Sequence, residues 1–155
     1  INKDHHIPST ISKELALYVV IYAPVQMAAD LPEHYEAHPD AFQFILDVPT
    51  DWEHTITLNG EIGEYITVVR KDINSNDWYL GSISNESPRN IEIDLSFLDE
   101  DKNYKATIYK DPIDGGWESK PEEIEITEQF FKKNDKYQIV LPSGGGQAIH
   151  FSVIN

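Results

Sequence analysis

Arg89-Asn90-Ile91-Glu92-Ile93-Asp94-Leu95 alternates strictly between polar and apolar residues. A strand sends successive side chains to opposite faces, so this segment has one wet face and one buried face. The same period recurs on both sides of it. Upstream lie His54–Leu58, Tyr65–Arg70 and Asp77–Ser84. Downstream lie Tyr104–Tyr109, Glu123–Thr127, Tyr137–Leu141 and Ala148–Val153. Turn residues separate them: Asn59-Gly60, the cluster before Asp77, Asp114-Gly115-Gly116 and Gly144-Gly145-Gly146. About eight short alternating strands with polar outward positions predict an antiparallel β-sandwich from residue 50 to residue 155.

Residues 1–49 have a different character. Pro8-Ser9-Thr10 is a helix start, because Pro suits the first turn and a hydroxyl can accept an orphan N–H. The helix is expected from Ile11 to Ala23, ended or kinked by Pro24. Leu15 to Val25 carries no charge on any face, whereas a lone surface helix needs a polar stripe. A sandwich can cover one side of such a helix, so the chain reads as the tail of a larger protein. Leu15, Leu17, Val19, Val20 and Ile21 point around the helix, and self-association or swapping of this segment is expected to cover them. Met27–Asp30 is a short buried strand or a continuation of the helix. Asp40–Leu46 reads as a second helix, with Ala41, Phe42, Ile45 and Leu46 on one face.

Composition narrows the function classes. The 155 residues include 27 acidic and 12 basic ones, for a net charge of −15. That disfavours nucleic acid, whose phosphates need Lys and Arg, and anionic membrane surfaces. No Cys is present, so disulfides and thiolate chemistry are excluded. The longest apolar run is too short to span a bilayer.

Few residues suggest chemistry. His5-His6 beside Asp4 is a metal pair or an exposed lead-in, and adjacent residues do not converge on one site. Glu33, His34, Glu36, His38 and Asp40 form an acidic and His-rich cluster. It either holds a divalent cation or polar ligand, or is a solvated loop. No Gly-x-Ser-x-Gly elbow is present, and the triple glycine lacks the Lys-Ser/Thr of a phosphate loop. Trp52, Trp78 and Trp117 are sugar platforms or core residues. Trp78 is expected in the core and Trp117 to be the most exposed.

Longer motifs carry a resemblance. They include Glu14-Leu-Ala-Leu-Tyr-Val-Val-Ile-Tyr-Ala-Pro, Gln26-Met-Ala-Ala-Asp-Leu-Pro-Glu-His-Tyr-Glu, Phe42-Gln-Phe, Asp47-Val-Pro-Thr-Asp-Trp and Leu58-Asn-Gly-Glu-Ile-Gly-Glu-Tyr. Trp78-Tyr-Leu-Gly, Phe97-Leu-Asp, Tyr109-Lys-Asp and Pro142-Ser-Gly-Gly-Gly-Gln-Ala continue the pattern. From about Thr10 onward the chain resembles the C-terminal part of glycoside hydrolase family 97, Bacteroides-type α-glucosidases and α-galactosidases. Ala23-Pro24-Val25 and Glu33-His34-Tyr35 depart mildly from the family's usual Ser-Pro-Leu and Glu-Asn-Tyr.

The resemblance implies a mainly β chain: residues 1–49 as the helical remnant of a (β/α)8 barrel, and residues 50–155 as the sandwich after it. Residues 11–24 would be a barrel helix, Met27–Asp30 its eighth strand and Asp40–Leu46 its last helix. Barrel active sites lie at the C-terminal ends of the strands. Asp30, Glu33 and Tyr35 are therefore expected at the substrate-binding rim. The family's catalytic acid and base and its calcium ligands have no counterpart here. No catalytic or metal residue and no cofactor is expected in this chain, while calcium is expected in the parent enzyme. The implied partners are the rest of the barrel, an oligo- or disaccharide reached through the parent, and a second copy of the chain. The implied location is periplasmic. An alternative is a carbohydrate-binding module that uses exposed aromatic rings. A third reading is a self-contained domain that uses the acidic and His-rich loop for metal.

Overall fold

The computed structural model describes residues 7–27, 33 and 38–154. Among the described residues, the helices α1 (Ile11–Val20) and α2 (Pro39–Asp47) precede eight strands. These are β1 (Trp52–Glu61), β2 (Tyr65–Asp72), β3 (Trp78–Ser84), β4 (Arg89–Asp94), β5 (Asn103–Lys110), β6 (Glu125–Phe131), β7 (Lys136–Leu141) and β8 (Gly146–Ile154). One sheet has the order β1-β2-β3-β8-β5-β6, and a two-stranded sheet pairs β4 with β7. Every pairing is antiparallel. The architecture is the mainly β sandwich that the alternation predicts.

The two sheets enclose an inner core of Val69, Trp78, Leu80, Ile93, Leu95, Leu98, Tyr104, Ile108, Phe131, Ile139, Leu141, Ile149 and Phe151. All of these lie after residue 50. The opposite face of the large sheet carries a second core, where Leu15, Ala16 and Val19 of α1 and Ala41 and Phe44 of α2 meet Tyr79, Tyr109 and Ala148. Phe44 stands edge-on to both tyrosine rings, at centroid distances of 6.0 and 5.1 Å. Such contacts suit the quadrupoles of the rings. Packing therefore continues across residue 50, and the molecule has three layers: helices, large sheet and small sheet.

Several boundaries differ from expectation. Helix α1 ends at Val20 instead of Ala23, and Ile21 is already extended, with φ −88° and ψ 117°. Asn59-Gly60 is not the first hairpin turn. β1 runs through it, Gly60 pairs with Ile66, and the chain reverses at Gly63, whose φ is 81°. Only Gly takes that conformation without a Cβ penalty. β6 starts at Glu125 instead of Glu123, because a turn still holds Glu123 N to the Lys120 carbonyl at 3.3 Å. The expected strand Met27–Asp30 lies outside the described residues beyond Met27, which is irregular and exposed.

The sandwich also covers more of α1 than expected. Leu15 and Val19 are buried, and Leu17 and Val20 are half-buried; only Ile21, just past the helix, is largely exposed. The end of β8 is tied to the β2–β3 turn. Asp77 accepts from Val153 N at 3.1 Å and pairs with His150 Nε2 at 2.9 Å. The His150 ring stacks on Tyr79 at 4.3 Å.

Because the inner core is complete without the helices, residues 50–155 expressed alone are expected to unfold cooperatively. The midpoint should be lower than that of the full chain, since Tyr79, Tyr109 and Ala148 lose their cover. Thermal unfolding of the two chains side by side checks this. A non-cooperative melt of the shorter chain contradicts it.

Candidate functional site, the seat of the first helix

Polar contacts hold α1 at both ends. A helix exposes unpaired N–H groups at its start and unpaired carbonyls at its end, and its dipole favours an anion at the first and a cation at the second. The sheet supplies the cation, and Asp111, just past β5, lies beside Thr10, Ser12 and Lys13 at the start. At the C-terminal end stands Arg70 of β2, only 6% exposed. Its Nε donates to the Val19 carbonyl at 2.6 Å and its Nη2 to the Val20 carbonyl at 3.3 Å. Its Nη1 donates to Thr55 Oγ1 at 2.7 Å. The rings of Tyr22 and Trp52 lie 5.5 and 5.8 Å from the guanidinium carbon. Burial pulls the Arg70 pKa down and Tyr22 pushes it back up. Arginine titrates so high that the group stays charged. A further turn would need the Tyr18 and Val19 carbonyls; Gln26 Nε2 takes the first at 2.7 Å and Arg70 the second, while Pro24 has no N–H to offer Val20.

At the N-terminal end Thr10 caps the helix by accepting from Lys13 N at 3.2 Å. Ile11 N donates to the Pro121 carbonyl at 2.9 Å, and Lys13 Nζ to the Ser84 carbonyl at 2.8 Å. Asp111, just after β5 and 4% exposed, accepts from Gly146 N at 2.9 Å. Burial pushes the pKa of this carboxyl up. The Gly146 N–H, the hydroxyls of Thr10 and Ser12, and Lys13 oppose that rise without cancelling it.

Between the two ends the helix lies directly on backbone. A Cβ added to Gly81 would sit 2.5 Å from the Ala16 carbonyl oxygen and 3.0 Å from Val19 Cβ. One added to Gly146 would sit 2.4 Å from Lys13 Cα. These two glycines, on adjacent strands β3 and β8, form the bed on which α1 rests.

The raised Asp111 pKa sets a pH dependence. A carboxyl whose folded value lies above its unfolded one stabilises the fold fully below about 3.8, and loses that contribution as pH rises through the folded value. Asp111→Asn cannot ionise and escapes the loss. Wild type should therefore lose ground to Asp111→Asn between pH 4 and pH 7 in urea midpoints. Asp111→Ala should cost roughly 1–3 kcal/mol at both pH values, because the Gly146 N–H is left unpaired. A wild type that gains on Asp111→Asn over that interval contradicts the assignment.

Of the residues expected at the substrate rim, only Glu33 is among the described residues. Glu33 is exposed, and Asp30 and Tyr35 lie outside the described residues. So do His5, His6, His34 and Glu36, while His38 caps α2 by position and Asp40 is exposed in its first turn. Among the described residues no three His, Asp or Glu side chains gather into a metal-binding group. The indoles do not make a sugar platform. Trp78 is buried in the inner core, and Trp52 is half-buried, edge-on to Tyr79 at 5.7 Å. Trp117, expected to be exposed, is half-buried against Gly144. Sequence reasoning missed Arg70, Asp111, Gly81 and Gly146. The glycine inside Trp78-Tyr-Leu-Gly offered a physical signal, since Gly in a strand marks close approach of another backbone.

Comparison with known proteins places the chain in a family. The model of the glycosyl-hydrolase 97 C-terminal family, described as an oligomerisation domain, matches residues 51–152. The chain is 40% identical over 143 residues to a retaining alpha-galactosidase of Bacteroides thetaiotaomicron, covering 90% of this chain and 20% of that protein. Among solved structures it is similar to a Glycoside Hydrolase Family 97 enzyme in complex with acarbose from Pseudoalteromonas sp. strain K8. The TM-score is 0.93 at 46% identity, over 96% of this chain and 23% of that one. A beta-arabinopyranosidase also matches, with a TM-score of 0.75 at 27% identity over 92% of this chain and 21% of that one. The chain thus spans about a fifth of the length of these relatives. With the sandwich and the matched residues 51–152 in agreement, the chain belongs to the glycosyl-hydrolase 97 C-terminal family.

Proposed function

We propose that this chain is the accessory C-terminal part of a glycoside hydrolase that acts on α-galactosides or α-glucosides. It is catalytically silent by itself and holds the segment that precedes the sandwich. The observation that carries this reading is the seat of α1: a helix held at its end by Arg70 and at its start by the Pro121 and Ser84 carbonyls, on a bed of two glycines. A domain built this way fixes the end of whatever precedes it. The names of the relatives support the substrate class, since one is a retaining alpha-galactosidase and another was solved with acarbose. The family description supports a role in self-association.

Within this reading Asp30, Glu33 and Tyr35 stand near the sugar in the assembled enzyme and contribute contacts, not chemistry. Glycoside cleavage needs two carboxyl groups held across the scissile bond. The buried carboxyl that the structure builds, Asp111, faces the helix seat instead. Calcium, implied for the parent enzyme, finds no gathered set of ligands among the described residues, and no role of this chain runs through it.

The test is an assay of the purified chain on aryl α-galactosides and aryl α-glucosides with calcium present. No turnover above the buffer rate is expected. Turnover that survives repurification and is lost in Glu33→Gln or Asp30→Asn would overturn the accessory reading.

A further inference from the structure

The large sheet ends in two edge strands, β1 and β6. An edge strand presents unpaired N–H and C=O groups to any chain that can pair with it, and proteins blunt such edges with bulges. β1 is blunted in this way: its register against β2 shifts between Trp52 and His54 and again between Thr57 and Asn59. β6 is not. Its register against β5 is regular from Tyr104↔Phe131 to Lys110↔Glu125. It is a seven-residue edge with no shift of register.

The side chains on this edge are also unusual. Phe131 faces the inner core. Ile126 lies opposite Tyr109 and therefore on the helix-bearing face, and Glu128 and Phe130 share that face by alternation. Phe130 is 68% exposed and Ile126 37%. Two apolar residues on an open edge would normally be a liability.

We infer that β6 is the seam of a homodimer, pairing antiparallel with β6 of a second copy about a two-fold axis at Glu128. The inference rests on the reading of this chain as a self-associating accessory domain, and it names the surface. In this register each Ile126 lies directly opposite Phe130 of the second copy, so the symmetric seam contains that apolar pair twice. Aromatic and β-branched residues are the favourable cross-strand partners. Thr127 lies opposite Gln129 of the second copy on the other face. The two Glu128 side chains meet at the axis, and each carries an ion pair with Lys105 of its own copy at 3.1 Å. Glu125 is held by Lys110 at 3.2 Å. The interface is isologous, as a two-fold dimer requires, and it extends one continuous sheet across both copies.

The test uses the full chain, its Phe130→Lys and Ile126→Lys variants, and light scattering from dilute to concentrated solution. Both substitutions fall at solvent-exposed side chains, so thermal unfolding should show folded variants. Wild type is expected to dimerise, and each Lys variant to weaken the dimer by roughly tenfold or more. Since the chain has no Cys, Glu128→Cys supplies a register probe. Its two sulfurs would face one another across the axis, and mild oxidation should cross-link the dimer rapidly. Glu92→Cys on β4 should not cross-link. A wild type that stays monomeric overturns both this seam and the self-association reading. A dimer that survives Phe130→Lys, or one in which Glu128→Cys does not cross-link, overturns the seam alone and leaves self-association standing through another surface.

Discussion

A chain ended at Gly145 should show no cooperative unfolding transition. β8 lies in the middle of the large sheet, paired with β3 on one side and β5 on the other. Its loss divides that sheet into β1-β2-β3 and β5-β6 and opens the ladders of both neighbours. It also removes Ile149 and Phe151 from the inner core and Ala148 from the outer one. Truncating one buried aliphatic or aromatic side chain to Ala costs about 2–5 kcal/mol. A domain has only about 5–15 kcal/mol to lose. The deletion therefore exceeds what the fold can tolerate, whereas removal of residues 1–49 leaves the inner core whole. Thermal unfolding followed by near-ultraviolet circular dichroism distinguishes the two cuts. A cooperative melt after loss of β8 would mean that the central pairing is wrong.

Gly146→Val and Gly81→Val should be the most damaging single substitutions on the helix-bearing face. Overpacking usually costs about 1–3 kcal/mol, because side chains can shift aside. Here the atoms in the way are the backbone of Lys13 and of Ala16, at 2.4 and 2.5 Å from the new Cβ. They cannot yield without lifting α1 off the sheet. Lifting it separates Arg70 from the Val19 and Val20 carbonyls and uncovers Ala148 and Tyr79. The expected loss is on the order of 3 kcal/mol or more, or a fall of roughly 10 °C in Tm for a chain of this size. Gly63→Ala tests the reasoning from the other side. Its added Cβ meets nothing within 4 Å, so only its φ of 81° opposes the change. A smaller drop is expected there.

The strands were legible because their period is local. Arg89–Leu95 alternates within seven residues, and the structure places Ile93 and Leu95 inside and Glu92 and Asp94 outside. Pro8-Ser9-Thr10 marked the helix start for the same reason, since a cap is a local bond. The helix end was not legible. Ile21 and Tyr22 are compatible with another turn, but the carbonyls it would need are held by Gln26, on Tyr18, and by an arginine some fifty residues along the chain, on Val19. The first hairpin misled for a related reason. Asn59-Gly60 has turn chemistry, but Gly60 is absorbed into the β1–β2 ladder and Gly63 makes the reversal. The apolar helix suggested an uncovered surface because its closeness to the sheet depends on Gly81 and Gly146. These residues leave no hydrophobic pattern, and their effect is visible only as the space that a Cβ would occupy. Family membership was legible throughout, because its motifs are contiguous and need no folded geometry to be read.

The central claim is that the first helix is a built-in layer of this domain and not a loosely attached strip. Amide hydrogen exchange of the full chain tests it most directly, because opening free energies separate frayed segments from the cooperative core. The amides of Leu15 to Val19 should exchange with an opening free energy close to that of Ile149 in β8, and both should fall together in Gly146→Val. If the α1 amides instead exchange orders of magnitude faster than those of β8 and are unchanged by Gly146→Val, the helix is not seated as described.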